Sequence, residues 1–218
     1  MGDDRRTSPP LTLAETAFAA IDFESAGARR GGTDVPVQIG IACLNGLGGG
    51  LGDSLVSYLA SDQPIVWSAQ KVHGIRTEDL VGAPSLLTLW PRISSLLQNR
   101  WVVAHGAATE KRFLRAFPFH GFGPWVDTLK LARAVWPDLS SYALGDLIVT
   151  LGLEEELRAL HPGFRWHEAL SDSVASLILL KHAVATAQIG GEDPEILLRA
   201  DDSFYHQQKA ATKARLAP

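Results

Sequence analysis

AFAAIDFE (residues 17–24), VPVQIGIA (35–42) and SLVSYLA (54–60) are the runs whose reading decides the architecture. The first is a short apolar run ending in two acids, the pattern of a strand. In the second, Val35, Val37, Ile39 and Ile41 recur at every second position, as on a half-buried strand. NGLGGGLGD (45–53) supplies a turn into the third, so the three runs are expected to form a meander. That glycine-rich turn also invites a phosphate-loop reading. No Gly-Lys-Ser/Thr follows it and no helix opens from it, which favours a hairpin.

Further along, the period lengthens. A helix is expected from near Ser85 through LLTLWPRISSLLQN (86–99), with Pro91 as an internal kink. WVVAH (101–105) reads as a buried strand, ATEKRFLRA (108–116) as a helix and PWVD (124–127) as a brief strand. Helices follow over TLKLARAVW (128–136), YALGDLIVTLGL (142–153) and a long stretch from about His167 to Thr186. KVHGI (71–75) and GAPS (82–85) read as loop and turn. Three strands followed by strand and helix in alternation predict an α/β fold. Its centre is a ribonuclease H-like mixed sheet, a three-strand meander plus two further strands, covered by helices.

The 218 residues, 46% hydrophobic and 20% charged, have the composition of one globular domain. We place it at 15–198, between a flexible stretch at 1–14 and a polar tail at 199–218, and find no internal repeat. MGDDRRTSPP lacks the apolar stretch of a signal peptide, and ASLILLKHAV (175–184) is broken by Lys181 and His182. The expectation is no membrane partner and a cytoplasmic location. Cys43 stands alone, which excludes an internal disulfide and a multi-cysteine zinc site; its apolar setting reads as a buried structural thiol. A net charge of −4 argues against holding nucleic acid by bulk electrostatics, while leaving room for an acidic site neutralised by metal ions.

Three segments carry chemistry. On a strand, Asp22 and Glu24 share a face with Phe18 and Ala20. Desolvating two adjacent like charges costs several kcal/mol unless a cation compensates, and a hard divalent ion with oxygen ligands does so most simply. The same pair also fits a strand that has reached solvent. Glu110 shares a helix face with Phe113 and Leu114, although a helix N-terminal acid favoured by the macrodipole looks alike. Asp172 lies five residues beyond His167, so the two cannot occupy one helical face. His167 is expected at or before the first turn, arching over the site, with Asp172 inside. Ser173, Ala175 and Ser176 are small and let the helix approach the sheet, while Leu170, Val174, Leu177 and Ile178 make the packing stripe. Alone, this segment equally suits a capping Asp beside an incidental His.

Taken in order, AAIDFESAG (19–27), VHGIRTEDL (72–80), VAHGAATEKRFL (103–114), WVDTLKLARAVWPDL (125–139) and WHEALSDSVAS (166–176) resemble the DnaQ-like (DEDDh) 3′-5′ exonuclease family. The likeness is strongest to its exonuclease X and proofreading types and runs from about Phe18 to Ala185. It implies metal ligands Asp22, Glu24, Glu110 and Asp172, two divalent cations (Mg²⁺ or Mn²⁺), and His167 as general base. It further implies nucleic acid 3′ ends as partner, substrate contacts at Phe23, Ser25, His73 and Thr109, and 5′-mononucleotides as products. Single-stranded DNA is the expected substrate; an RNA-degrading enzyme, or a silent relative that binds nucleic acid or protein, is the alternative. One position departs from the pattern. The family has Asp where this chain has Glu110, one methylene longer, so the backbone must retreat or the ligand must bind differently. Thr109 and Gly106 likewise replace an aromatic residue and an amide.

Other residues have weaker readings. His161 and His167 would pair on zinc only with a third nitrogen or sulfur ligand, which is not evident. His105 reads as structural, and Asp127 is the alternative fourth ligand. Trp166 either stacks on a base or covers the core. Arg29, Arg30, Lys111, Arg112 and Arg165 flank the motifs and would either position phosphates or be solvated.

Overall fold

A computed structural model of the chain describes residues 11–28, 33–203, 205–207 and 210. Strands β1 (Ala17–Ser25), β2 (Pro36–Asn45) and β3 (Leu51–Tyr58) form the expected antiparallel meander. β4 (Trp101–Ala104) and β5 (Trp125–Asp127) extend it in parallel on the other side of β1, giving the order β3-β2-β1-β4-β5. The glycine-rich segment is a hairpin connection between β2 and β3.

The helices are α1 (Trp67–His73), α2 (Leu86–Leu97), α3 (Ala108–Leu114), α4 (Thr128–Val135), α5 (Leu144–Thr150), α6 (Glu154–Leu160) and α7 (Ala169–Ala187). Two of them stand where no helix was expected, because neither carries an apolar stripe. α1 buries no side chain, and α6 buries only Leu157. α2 begins at the Ser85 cap, whose side chain accepts from the Thr88 amide, and contains Pro91.

β2 differs from the expected half-buried strand, since every residue from Val37 to Leu44 is buried. Ile39, Ile41 and Cys43 pack with Ile93, Leu96 and Leu97 of α2. Ala42 and Leu44 join the cluster of Leu177, Ile178 and Leu180 from α7 on the opposite face. The second face is built from Gln38, Gly40 and Ala42, small or polar residues that give no hydrophobic period to read. α7 is long and apolar enough to cross a membrane by composition, yet most of it is buried against the sheet.

The start of α7 is clamped onto β2. Gln38 Oε1 accepts from the Ala169 amide at 2.9 Å, and Ser173 Oγ donates to the carbonyls of Gly40 (3.0 Å) and Ala169 (2.9 Å). The approach is so close that a Cβ on Gly40 would lie 2.1 Å from both the Ala169 carbonyl carbon and the Leu170 nitrogen. Helix and strand therefore meet backbone to backbone, as the small residues of the α7 segment suggested.

The ends are more integrated than their composition suggested. Leu13, placed in the flexible stretch 1–14, is buried, and its amide donates to the Glu192 carbonyl at 2.8 Å. In the polar tail, Asp202 pairs with Arg133 at 3.5 Å and the Tyr205 ring packs edge-on to Tyr142. Arg29, Arg30 and the remainder of both ends lie outside the described residues.

The contact at Gly40 makes a direct prediction. Gly40→Ala should lower stability by on the order of 3 kcal/mol, because the added carbon meets backbone and not a movable side chain. Gly50→Ala, where a Cβ meets nothing within 4 Å, is the matched control. Equal denaturant midpoints for the two variants would contradict the clamp.

Candidate active site

Strand alternation aims Asp22 and Glu24 toward α7, in line with Phe18 and Ala20, which lie in the α7 core cluster. Phe23 points the other way. Its side chain is buried, edge-on to Phe113 with ring centroids 5.4 Å apart, so the expected substrate contact by this side chain is corrected to a core role. Asp22 stands opposite Gly40 on β2, and Glu24 opposite Gln38. The strand that receives α7 thus also backs the two acids.

Clamping α7 brings Asp172 to the same place. Glu168 caps the helix, accepting from the Ser171 amide (3.0 Å) and hydroxyl (2.7 Å). His167, just before this cap, is exposed and adopts a left-handed backbone with φ 61°. The turn lifts its ring over the site: a ligand atom from each of Glu24, His167 and Asp172 lies within 4.8 Å of the others. His161 instead faces Glu168 at 4.0 Å, which leaves the imagined zinc pair without a basis.

Glu110 comes from the first turn of α3 and is buried. It lies close enough to Asp22 that its charge helps raise the Asp22 pKa, while Asp22 in turn acts on Glu24 and Asp172. Asp127 is not a spare ligand. Its Oδ1 accepts from the amides of Gly106 (3.0 Å), Leu129 (3.0 Å) and Lys130 (3.4 Å), and its Oδ2 from Ala107 (3.2 Å). It ties the loop before α3 to the start of α4, which sets where Glu110 stands.

Collecting these acids has an electrostatic cost. Burial, reinforced by Glu110, raises Asp22 to about 7, the Phe23 amide offsetting part of the effect. Burial and the charges of Asp22, Asp172 and Glu168 raise Glu24 to about 8. Asp172 rises to about 8 and Glu110 to about 7, in both cases chiefly through burial. Glu110 Oε2 and Asp172 Oδ1 are buried without a hydrogen-bond partner in the protein. Orphaned anionic oxygens among mutually repelling carboxylates fit hard divalent cations, and the carboxylate-rich donor set matches Mg²⁺ or Mn²⁺ better than zinc.

Around this centre, His73 closes α1. Its Nδ1 accepts from the Ile75 amide at 3.0 Å, so its Nε2 carries the proton and donates to the Ser25 carbonyl at 3.0 Å. Ser25 is thereby engaged through its main chain, and Thr109 is half-buried on the first turn of α3. His105 is structural, as expected: its two ring nitrogens meet Thr128 Oγ1 (3.0 Å) and the Tyr142 carbonyl (2.9 Å). Of the flanking basic residues, Arg112 pairs with Asp34 and Lys111 sits over Trp125, whereas Arg165 lines a cleft beside His167. Gln38 and Glu168 went unremarked in the sequence. Glu168 carries a legible signal, an acid three residues before Ser171 at a helix start; Gln38 carries none.

A mixed sheet whose first strand ends in two acids, completed by an acid from each of two helices and a histidine over them, is the layout of a ribonuclease H-like nuclease centre. Residues 19–180 match the family model described as Exonuclease, and the chain belongs to that family. Its relatives include the PolC-type DNA polymerase III of Thermotoga maritima, 28% identical over 85% of this chain and 13% of that protein. Exodeoxyribonuclease 10 of Escherichia coli is 28% identical over 73% of this chain and 65% of its own length. The chain thus spans a small part of the first relative and just under two thirds of the second. Among solved structures, exonuclease X in complex with 5′ overhanging duplex DNA has a TM-score of 0.65 at 25% identity, covering 83% of this chain and 98% of that one. The nuclease domain of 3′hExo, a DEDDh family member bound to rAMP, shares the fold: TM-score 0.65, 14% identity, 82% and 96% coverage. The DnaQ-like resemblance and the ribonuclease H-like sheet both hold.

The raised pKa values fix a pH signature. Between about pH 4, where free carboxylates ionise, and the folded values near 7 to 8, the folded site retains protons that the unfolded chain releases. Stability of the metal-free protein should therefore fall as pH rises through this window. Mg²⁺ or Mn²⁺ should raise the melting temperature at pH 8 by more than at pH 5, and Asp22→Asn should flatten both responses. A melting temperature that climbs from pH 5 to pH 8 in chelator would contradict the assignment.

Proposed function

We propose that the chain is a metal-dependent 3′-5′ exonuclease that hydrolyses phosphodiester bonds at DNA 3′ ends, single-stranded by preference, and releases 5′-mononucleotides. The observation that carries this reading is the cluster of Glu24, Asp172 and His167, with Asp22 close enough to act on both of those acids, Glu110 close enough to act on Asp22, and two buried carboxylate oxygens unpartnered. Two divalent cations held by these acids would stabilise charge on the attacking and leaving oxygens and acidify the attacking water. Asp22, which feels the charge of Glu110 and acts on both Glu24 and Asp172, would help to hold both cations. His167 presents a ring nitrogen beside Glu24 and Asp172, where it would accept the proton of that water. Its exposure allows the proton to pass on to solvent. DNA is favoured over RNA by the likeness to exonuclease X, which was solved with DNA at 25% identity.

Chelator should abolish hydrolysis of a labelled oligonucleotide, and Mg²⁺ or Mn²⁺ should restore it. Blocking the 3′ end should stop digestion, while blocking the 5′ end should not. Matched single-stranded DNA, duplex DNA and RNA, digested in parallel, rank the substrates; RNA cleaved fastest would overturn the DNA assignment. His167→Ala should slow turnover by at least about a hundredfold and leave the metal-induced melting shift in place. An unchanged rate removes His167 from the mechanism.

Glu110 separates a working enzyme from a silent relative. Glu110→Gln keeps the size but removes the anion, so most activity should go; Glu110→Asp shortens the reach in a backbone built for Glu, so the loss should be partial. Wild-type rates in the Gln variant would reduce Glu110 to a helix-start acid. A wild type inert with both metals on every 3′-ended substrate, revived by Asp, would instead favour a binding module.

A further inference from the structure

Two residues of the polar tail connect, through Arg133 and Tyr142, to a wall of the cavity that holds the acids. That cavity, of about 500 Å³, is lined by Asp22, Asp172 and His167 and, from α5, by Leu144, Gly145 and Val149. The chain enters α5 through Tyr142, two residues before the helix. On its backbone side, the Tyr142 carbonyl meets His105 Nε2 at 2.9 Å, and its hydroxyl donates to the Trp136 carbonyl. Its ring has two partners from elsewhere in the chain. Tyr205 packs against it edge-on, with centroids 4.9 Å apart, and the Arg133 guanidinium of α4 lies 5.8 Å from its centroid. Arg133 is itself held by the tail: it lies 4.5 Å from the Tyr205 centroid and pairs with Asp202 at 3.5 Å, each side chain of the pair 21% exposed.

Resting on the exonuclease reading, we infer that Asp202 and Tyr205 are positioning residues for the substrate: by holding Arg133 and Tyr142 they set the α5 wall against the acids of the cavity. A helix of seven residues does not hold its own place; it stands where its contacts put it. Leu147 and Ile148 bury its inner side, so the entry at Tyr142 is the point from which its cavity-lining residues are aligned. The Arg133 Nε is buried without a hydrogen-bond partner, which makes the guanidinium depend on Asp202 and on the two rings. Removing the Asp202 charge would leave a largely buried cation against Tyr142, and removing the Tyr205 ring would take away its edge contact. Either change loosens the same wall from outside the cavity, with no group that touches substrate altered.

The test uses the full chain and two variants, Tyr205→Ala and Asp202→Asn. Amide hydrogen exchange reads the wall without any need for catalysis: it should speed up across residues 142–150 in both variants and stay as in wild type across α7. Binding of a single-stranded oligodeoxynucleotide, with Ca²⁺ replacing the catalytic metal, should weaken by about 3- to 10-fold, which is what one edge-on ring or one partly buried ion pair can transmit. With Mg²⁺, KM should rise by the same factor while kcat stays within about twofold. Asp201→Asn removes a neighbouring charge that is bonded to Ser203 and should change none of these readouts. A tail that only stabilises the fold would lower the melting temperature and leave affinity and KM, measured well below the midpoint, where they were. That result in both variants overturns the assignment, as does unaltered exchange at the wall. The exonuclease reading fails separately, through a wild type whose exchange and Ca²⁺ binding respond as expected yet which cleaves nothing with Mg²⁺ or Mn²⁺.

Discussion

The backbone contact between α7 and β2 at Gly40 is the constraint on which the rest of the site depends. β1 brings two acids to its end by strand alternation alone, but an acid on a helix can reach them only if that helix comes unusually close to the sheet. Close approach requires a position with no Cβ and a way to satisfy the helix N-terminal amides that it desolvates. Gly40 meets the first need. Gln38 and Glu168 meet the second by accepting from the amides of Ala169 and Ser171. The residues that frame the centre are thus neither acidic ligands nor hydrophobic core, but the polar and small positions between the two.

The second constraint is electrostatic. Without cations, the carboxylates raise one another's pKa, and two of their oxygens stay buried and unpartnered. A fold of marginal stability keeps such a cluster only where the surrounding structure over-determines it. Here that support comes from β1 at the centre of the sheet, from α7 within the largest core cluster, and from the Asp127 bracket around the start of α3. Each of the four acids stands on a regular element, while His167 sits on the connecting turn, where it can reach solvent.

Much of this was legible in the sequence, because the informative residues obey simple periodicities. The meander, the order of strands and helices, the shared face of Asp22 and Glu24 and the placement of His167 ahead of its helix all follow from periods of 2 and 3.6. What escaped had no periodic signal. α1 and α6 have almost no buried face, and the second buried side of β2 consists of residues that are small or polar. Phe23 was misplaced for a different reason: the motif draws attention to the whole of Asp-Phe-Glu, whereas alternation sends the middle side chain into the opposite core. Asp127 looked like a ligand because an acid near a motif reads the same whether it binds a cation or four backbone amides.

The left-handed backbone at His167 has a consequence for which sequences this site can hold. A positive φ is readily adopted by glycine and, among residues with a Cβ, by asparagine, aspartate and histidine more than by others. Within that short set, imidazole alone has an ordinary pKa near neutrality. The turn that lifts the chain into α7 has therefore narrowed the choice of residue before proton transfer imposes any demand. Drift at this position should pass through Asn, Asp or Gly, leaving the loop in place and the imidazole gone.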